Sequence, residues 1–271
     1  LQLPHPTAAR RDLRIPPFFL TWAWALGKLA FVNSGPRRIK ISSLDAKRES
    51  LAGVALFANL DENGLTQLAQ VADEKTFARD SVILQQEAPG NALFVIVQGR
   101  VKVVLYGEDG REVILSTLHD GEFFGEMSLL DGKPRSASVV AVEPTVLLRL
   151  RRDAFQALLR KNPDIALKIL EALSLRLRSA DSRIGSLALL DVYGRVARAL
   201  RELVQREGKA AGSNVILERR PTHQDLAAMA GTSRETVSRV LGDFVRSGLV
   251  TLDGRRMILH DEFLDSTEGA P

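Results

Sequence analysis

The run Pro221-Thr222-His223-Gln224-Asp225-Leu226-Ala227-Ala228-Met229-Ala230-Gly231-Thr232-Ser233-Arg234-Glu235-Thr236-Val237-Ser238-Arg239-Val240-Leu241-Gly242-Asp243-Phe244-Val245-Arg246 decides the reading of this 271-residue chain. Thr222 is placed to cap a short helix, and Asp225 three positions later completes a box-like start. That helix stops at Ala230-Gly231, because glycine enters the left-handed conformation without steric cost. A second helix follows at once, from Thr232-Ser233 to about Arg246. Helix, tight turn, helix is the helix-turn-helix layout, whose second helix can enter a DNA major groove. On that helix Val237, Val240, Leu241 and Phe244 recur at helical spacing and make the stripe to be buried. Arg234, Glu235, Ser238 and Arg239 share the opposite, solvent-facing side. Gly248 to Leu259 then reads as two strands about the Asp253-Gly254 turn, a wing.

Upstream of this unit a long helix is expected. Asn162-Pro163 opens it with proline in the first turn. Leu170, Leu173, Leu177, Ala180, Ile184 and Leu187 recur at alternating spacings of three and four, a heptad seam. Such a seam suits a partner helix or a face of its own domain. Before it, Asp153 is read as the cap of a helix over 154–161. Earlier still the chain is β-like: Val82–Leu84, Leu93–Val97, Val101–Tyr106, Glu112–Leu118 and Thr145–Leu150. Gly107-Glu108-Asp109-Gly110 is a hairpin turn between two of these runs. Short strands at near-regular spacing predict a small sandwich or jelly roll. A helix opened by Asn59 or Asp61 and carrying Leu65, Leu68 and Ala69 precedes it.

The predicted fold class is therefore α+β. An N-terminal β-roll (jelly roll) covers residues 50–162, a long dimerisation helix 163–190 and a winged helix-turn-helix 191–262, with a tail over 263–271. Residues 1–49 read as an extension, disordered or foreign to the native protein. They hold both tryptophans, Trp22 and Trp24, and five prolines. A signal peptide or membrane anchor is the alternative there, since Arg10, Arg11 and Arg14 precede the apolar run from Pro16 to Val32.

Composition narrows the function. The chain has no cysteine, which excludes disulfides, thiolate zinc sites, thiol nucleophiles and cysteine-ligated iron–sulfur clusters. His119, the one histidine of the roll, reads as a turn residue rather than a haem ligand. No activated nucleophile, carboxylate pair or metal-ligand spacing stands out, so an enzyme is not expected. No uninterrupted apolar run reaches the length of a membrane span. The net charge of +4 misleads as a whole. Residues 1–50 hold nine basic and three acidic groups, whereas residues 191–260 hold 12 and 8, so a positive excess belongs to the helix-turn-helix region.

Three motifs, in order, carry a resemblance. Phe124-Gly125-Glu126-Met127-Ser128-Leu129 with Pro134-Arg135-Ser136-Ala137, then Asp191-Val192-Tyr193-Gly194-Arg195-Val196-Ala197, then Ser233-Arg234-Glu235-Thr236-Val237 resemble the CRP/FNR superfamily over roughly residues 50–262. The resemblance implies a cytoplasmic homodimer that binds double-stranded DNA, works with RNA polymerase and answers to a cyclic nucleotide. Cyclic AMP is the first expectation, with no metal, haem or membrane partner. By the same resemblance Gly125, Glu126, Arg135 and Ser136 form the pocket. An arginine such as Arg135 can fork onto a phosphate, a serine such as Ser136 adds donors, and Glu126 can accept from a ribose hydroxyl while Gly125 lets the backbone come close. Arg176 is expected to reach Glu126.

One departure stands out. Where the family's cyclic-AMP sensors carry a Thr-Ser pair toward the adenine, this chain has Ala180 and Asp181. Ala180 cannot hydrogen-bond through its side chain. Asp181 could accept from an adenine amine, but a guanine edge offers two adjacent donors and suits it better. Cyclic GMP and cyclic di-GMP therefore stand beside cyclic AMP; otherwise Asp181 faces solvent or pairs with Arg178 or Arg183. Arg234, Glu235 and Arg239 occupy the family's three base-reading positions and imply a TGTGA-like half-site in an inverted repeat. Thr222, Gln224, Ser233 and Thr236 are candidates for phosphate contacts. The alternatives are a family member acting without nucleotide, a nucleotide-binding module serving a non-DNA effector, and a redox or gas sensor.

Overall fold

The computed structural model describes residues 43–265. The expectations for the extension up to residue 42 and for the tail beyond 265 lie outside them. Ser43 caps α1 (Leu44–Ala52) by accepting from the Ala46 N–H. Lys47 Nζ donates to the Ala72 carbonyl at 2.6 Å, and Leu51 is fully buried. Residues 44–49, assigned to the extension by the boundary at 50, are thus part of the roll. A 3₁₀ turn at Ala55–Phe57 buries Leu56 and Phe57, and α2 (Glu62–Val71) is capped by Asp61 through the Gly64 N–H.

The roll is two four-stranded antiparallel sheets. One has the order β1 (Asp73–Phe77), β8 (Thr145–Arg151), β3 (Ala92–Gln98), β6 (Phe123–Phe124); the other β2 (Val82–Leu84), β7 (Ser138–Ala141), β4 (Val101–Tyr106), β5 (Glu112–Leu118). In the roll, the sequence pattern predicts neither β1, β6 nor β7. β1 is a polar edge strand, Asp-Glu-Lys-Thr-Phe, β6 is two residues long, and β7 is buried on both faces, so none of them alternates. Between β6 and β7 lies α3 (Met127–Asp131).

β8 runs straight into α4 (Arg152–Lys161). Asp153, expected as its cap, lies instead in the first turn; Arg151 holds the cap position without a side-chain bond. At its first residue the Arg152 guanidinium reaches back to the carbonyls of Gly90 and Ser128 at 2.9 and 2.8 Å. α5 (Pro163–Leu189) is 27 residues long, roughly 40 Å. Ile165 and Ile169 anchor it to the roll, while Leu170, Leu177, Ile184 and Leu187 of the seam are 58–66 % exposed.

The C-terminal unit opens with α6 (Val192–Glu207), capped by Asp191 through the Gly194 N–H at 2.8 Å. Strands β9 (Lys209–Ala211) and β10 (Asn214–Leu217) lead to α7 (His223–Ala230) and α8 (Arg234–Arg246). Thr222 Oγ1 accepts from the Asp225 N–H at 3.0 Å, and Gly231 turns the chain with φ 62°. The wing hairpin β11 (Val250–Asp253) and β12 (Arg256–Leu259) joins β10 and β9, so the wing is half of a four-stranded sheet. Val237, Val240, Leu241 and Phe244 form the core with Val196, Leu200 and Leu226. α9 (Asp261–Asp265) adds Phe263, which the boundary at 262 left in the tail; its ring meets Phe244 edge-on at 5.5 Å and is buried.

This unit docks on the roll of its own chain. Ala228, with Met229 alongside, packs on Val104, Ile114 and Val140. At one end of the contact Glu207 accepts from Arg100 at 2.7 Å and pairs with His119 at 3.3 Å, and His119 also faces Glu122 at 3.6 Å. His119 is thus a bridge between domains and not a plain turn residue. Glu122 and Glu207 raise its pKa to about 9 against the opposing effect of burial. A raised folded-state value means that the stabilisation is complete below the unfolded value near 6.5 and is lost as pH rises through 9. The ring is about one-third exposed, so the shift contributes about 1–2 kcal/mol. The thermal midpoint is expected to fall by about 2–6 °C between pH 6.5 and 9.5, and in His119→Gln this slope should flatten. Parallel slopes in the two proteins would overturn the bridge.

Candidate functional site

Arg135 is the centre of the first site. It follows the α3 loop, in which Gly132 adopts φ 74°, and only 4 % of the residue is exposed. Its Nη1 donates to the Gly125 carbonyl at 2.7 Å and its Nη2 to the Ala92 carbonyl at 2.8 Å, both neutral acceptors. Nε is buried with no partner. Burial pushes the guanidinium below arginine's usual range; Glu126 opposes that fall and Arg152 adds to it. A desolvated cation whose hydrogen bonds go to neutral carbonyls, with the Glu126 carboxylate beside it already paired to Arg176, is a receptor for an anion.

Glu126 lies at the start of α3, 1 % exposed. Its Oε1 accepts from Arg176 Nη1 of α5 at 2.7 Å, whereas Oε2 is buried and unpartnered. Arg176 also donates to the Phe123 carbonyl and lies 5.1 Å over the Phe123 ring. Two glycines hold the cradle close. Gly125 has φ 84°, and a Cβ there would meet Arg135 Nη1 at 2.8 Å; a Cβ on Gly90 would meet Ser128 at 2.3 Å. The orphaned Nε and Oε2 are the donor and acceptor that a phosphate beside a ribose hydroxyl would use, so the residues fit a cyclic nucleotide.

The remaining expected pocket residues are less gathered. Ser136 is exposed, with Oγ 3.6 Å from Met127 Sδ. Ala180 and Asp181, one turn past Arg176 on α5, are exposed. Arg183 is committed to the Ile114 and Leu115 carbonyls and to Glu202, and so does not pair with Asp181. Sequence reasoning missed Arg152 and Gly90, which brace the cradle. A single arginine between a strand and a helix carries no pattern, and neither does an isolated glycine such as Gly90.

The second site is the outer face of α8. Arg234, Glu235 and Arg239 are exposed on it, with Ser233 at its cap, Thr236 half-buried, and Thr222 and Gln224 exposed at the start of α7. Glu235's own backbone N–H and Ser233 hold its carboxyl below the usual carboxylate range, which keeps it an acceptor at neutral pH. The hinge motif wires this face to the long helix. Arg195 donates to the carbonyls of Ala230 at 2.9 Å and Leu190 at 3.1 Å, while Tyr193 Oη donates to Asp243 on α8 at 2.5 Å.

A roll with an anion-seeking cradle, joined through one long helix to a winged helix-turn-helix, defines a ligand-binding DNA-binding protein. Comparison with known proteins agrees. Residues 74–162 match the family of cyclic nucleotide-binding domains and residues 194–263 the Crp-like helix-turn-helix domain. The chain is 30 % identical to the CRP-like cAMP-activated global transcriptional regulator of Mycobacterium tuberculosis, over 79 % of this chain and 95 % of that one. It is 38 % identical to the cyclic AMP receptor protein of Thermus thermophilus, over 74 % and 90 %. Among solved structures, the c-di-GMP responsive global regulator CLP of Xanthomonas campestris superposes with a TM-score of 0.64 at 26 % identity, over 74 % of this chain and 99 % of that one. The chain belongs to the CRP/FNR superfamily of transcription regulators. Among the described residues no cluster of histidine and acidic side chains is placed to hold a metal ion, and no helix is long and apolar enough to cross a membrane.

Proposed function

We propose that this regulator is a cytoplasmic homodimer that binds a cyclic nucleotide at Arg135 and reads an inverted repeat of TGTGA-like half-sites in concert with RNA polymerase. The observation that carries the reading is the buried Arg135 guanidinium, which spends its donors on neutral carbonyls while the Glu126 Oε2 beside it lacks a donor. Phosphate takes the arginine, with Ser136 at the rim, and the ribose hydroxyl takes Glu126. Gly125 gives the approach. The exposed seam of α5 supplies the dimer contact, and a two-fold pair of reading helices about 34 Å apart requires a palindrome. In that palindrome Arg234, Glu235 and Arg239 read bases, and Thr222, Gln224, Ser233 and Thr236 hold phosphates.

The coupling runs along α5. Arg176 ties that helix to Glu126, and a ribose on Oε2 leaves the tie on Oε1 intact, so ligand tightens the hold of the roll on the helix. The end of the same helix is clasped by Arg195, which also holds the turn of the reading unit. Ligand moves the DNA-binding equilibrium only by its differential affinity for the two states. Two relatives are named for cyclic AMP and one solved neighbour for cyclic di-GMP. Cyclic AMP leads, and exposed Asp181 favours a guanine edge as the second reading.

The test is a titration of the protein onto a fluorescent inverted repeat in the presence of cyclic AMP, cyclic GMP or cyclic di-GMP. One of the three is expected to tighten binding about 5–150-fold, the usual range of allosteric coupling. Equal affinity with and without all three would refute nucleotide control, and a monomer in sedimentation would refute the dimer.

A further inference from the structure

Between the roll and the DNA-binding unit lies a cleft of about 260 Å³ that shares no residue with the Arg135 cradle. Its walls are β5, the middle of α5 and the C-terminal half of α6. Three guanidinium groups enter it, from Arg183, Arg198 and Arg206. Each ends on main-chain carbonyls: Arg183 on Ile114 and Leu115, Arg198 on Ser182, Arg206 on Thr117. Carbonyls satisfy hydrogen bonds but cancel no charge. Glu202 is shared between Arg183 at 3.3 Å and Arg198 at 3.1 Å, and the Glu122 carboxyl, which Arg206 helps to hold below the usual carboxylate range, is already engaged by His119. Glu207, at the rim, is already engaged by Arg100 and His119. The positive excess therefore sits inside a cleft with protein walls, which concentrate its field.

The contents suit one class of ligand. Arginine forks match phosphate oxygens, and Ser116, Ser179 and Ser182 add hydroxyl donors beside them. The volume falls below the ordinary range for drug-sized ligands, about 300–1,000 Å³. Ser179 and Ser182 lie roughly half a turn around α5 from the Leu177–Ile184 seam, at ~100° per residue, so a partner helix on the seam leaves the cleft open.

We propose that this cleft is a second, separate anion site, which takes inorganic phosphate or the phosphate of a small monoester and clamps the DNA-binding unit to its own roll. The anion would bridge α5, α6 and β5, the three elements whose relative placement sets the position of the reading helix.

The experiment is calorimetry on the protein, titrated with inorganic phosphate and, in a second arm, with ribose 5-phosphate, at constant ionic strength. The expected result is saturable binding that includes one site per chain outside the Arg135 cradle. Tighter binding in the second arm identifies a monoester as the ligand; equal or weaker binding identifies the free ion. The site should persist in Arg135→Ala, which separates it from the nucleotide cradle. Arg206→Gln should weaken phosphate at least tenfold, and Glu202→Gln, which removes the competing carboxylate, should tighten it severalfold. These opposite signs cannot both arise from damaged folding. Absence of saturable binding in both arms, an unchanged affinity in both cleft variants, or loss of the phosphate site in Arg135→Ala overturns the proposal.

Discussion

Arg135→Ala is expected to weaken cyclic-nucleotide binding by about two to three orders of magnitude in calorimetry, with little change in thermal stability. A charge-assisted hydrogen bond contributes about 1.5–3 kcal/mol where water is excluded, and the fork offers two. Arg135 is almost fully buried, so solvent screens this contact weakly. Stability moves little because two terms oppose each other. Alanine leaves the Gly125 and Ala92 carbonyls without their donors, yet it also relieves the cost of a cation buried against neutral groups. Arg135→Lys keeps the charge but not the planar fork, and should fall between the two. Glu126→Gln should cost less than Arg135→Ala, since an amide oxygen can still accept a ribose hydroxyl. An alanine variant that binds nucleotide like the parent would move the ligand site elsewhere.

The local elements were more legible in the sequence than the contacts between them. The helix-turn-helix was readable because its determinants are local: a Thr222 cap, a left-handed Gly231 and a 3–4 apolar spacing, each acting within a few residues. The long helix was readable from Pro163 and its seam. Strands β1, β6, β7, β9 and β10 carry no readable pattern; those of the roll take their conformation from neighbours far along the chain, and β1 pairs residue for residue with β8, more than sixty positions on. In the cradle, Gly125, Glu126 and Arg135 belong to one contiguous motif. The Ala92 carbonyl and Arg152 that complete it come from β3 and the start of α4, and no spacing in the sequence links them. His119 carries the same lesson. Alone in the roll it looked like punctuation, and its role depends on Glu207, 88 positions away. Asp153 lies in the first turn instead of capping, because β8 runs directly into α4 with no intervening loop.

Arg239→Ala is expected to weaken binding to the inverted repeat by roughly 30-fold to 10⁴-fold while leaving binding to unrelated DNA nearly unchanged. A bidentate contact from arginine to guanine discriminates by about 1–3 kcal/mol. A two-fold dimer presents Arg239 twice, so the loss is counted at both half-sites. The side chain stands exposed on α8 beside Arg234 and Glu235, and the core residues Val240 and Phe244 lie on the other side of the helix. The substitution therefore removes the proposed reader without disturbing the fold. The variant should also tolerate any base at the position Arg239 reads, and removal of Glu235 should relax a different position, where a cytosine amine would donate to it. Ser233→Ala provides the contrast. It removes the cap of α8 and, with it, the proposed phosphate contact, so every DNA sequence should be bound more weakly by a similar factor. Parallel binding curves on specific and random DNA for Arg239→Ala would assign that side chain to the phosphate backbone. The base-reading role would then have to rest on Arg234 and Glu235 alone.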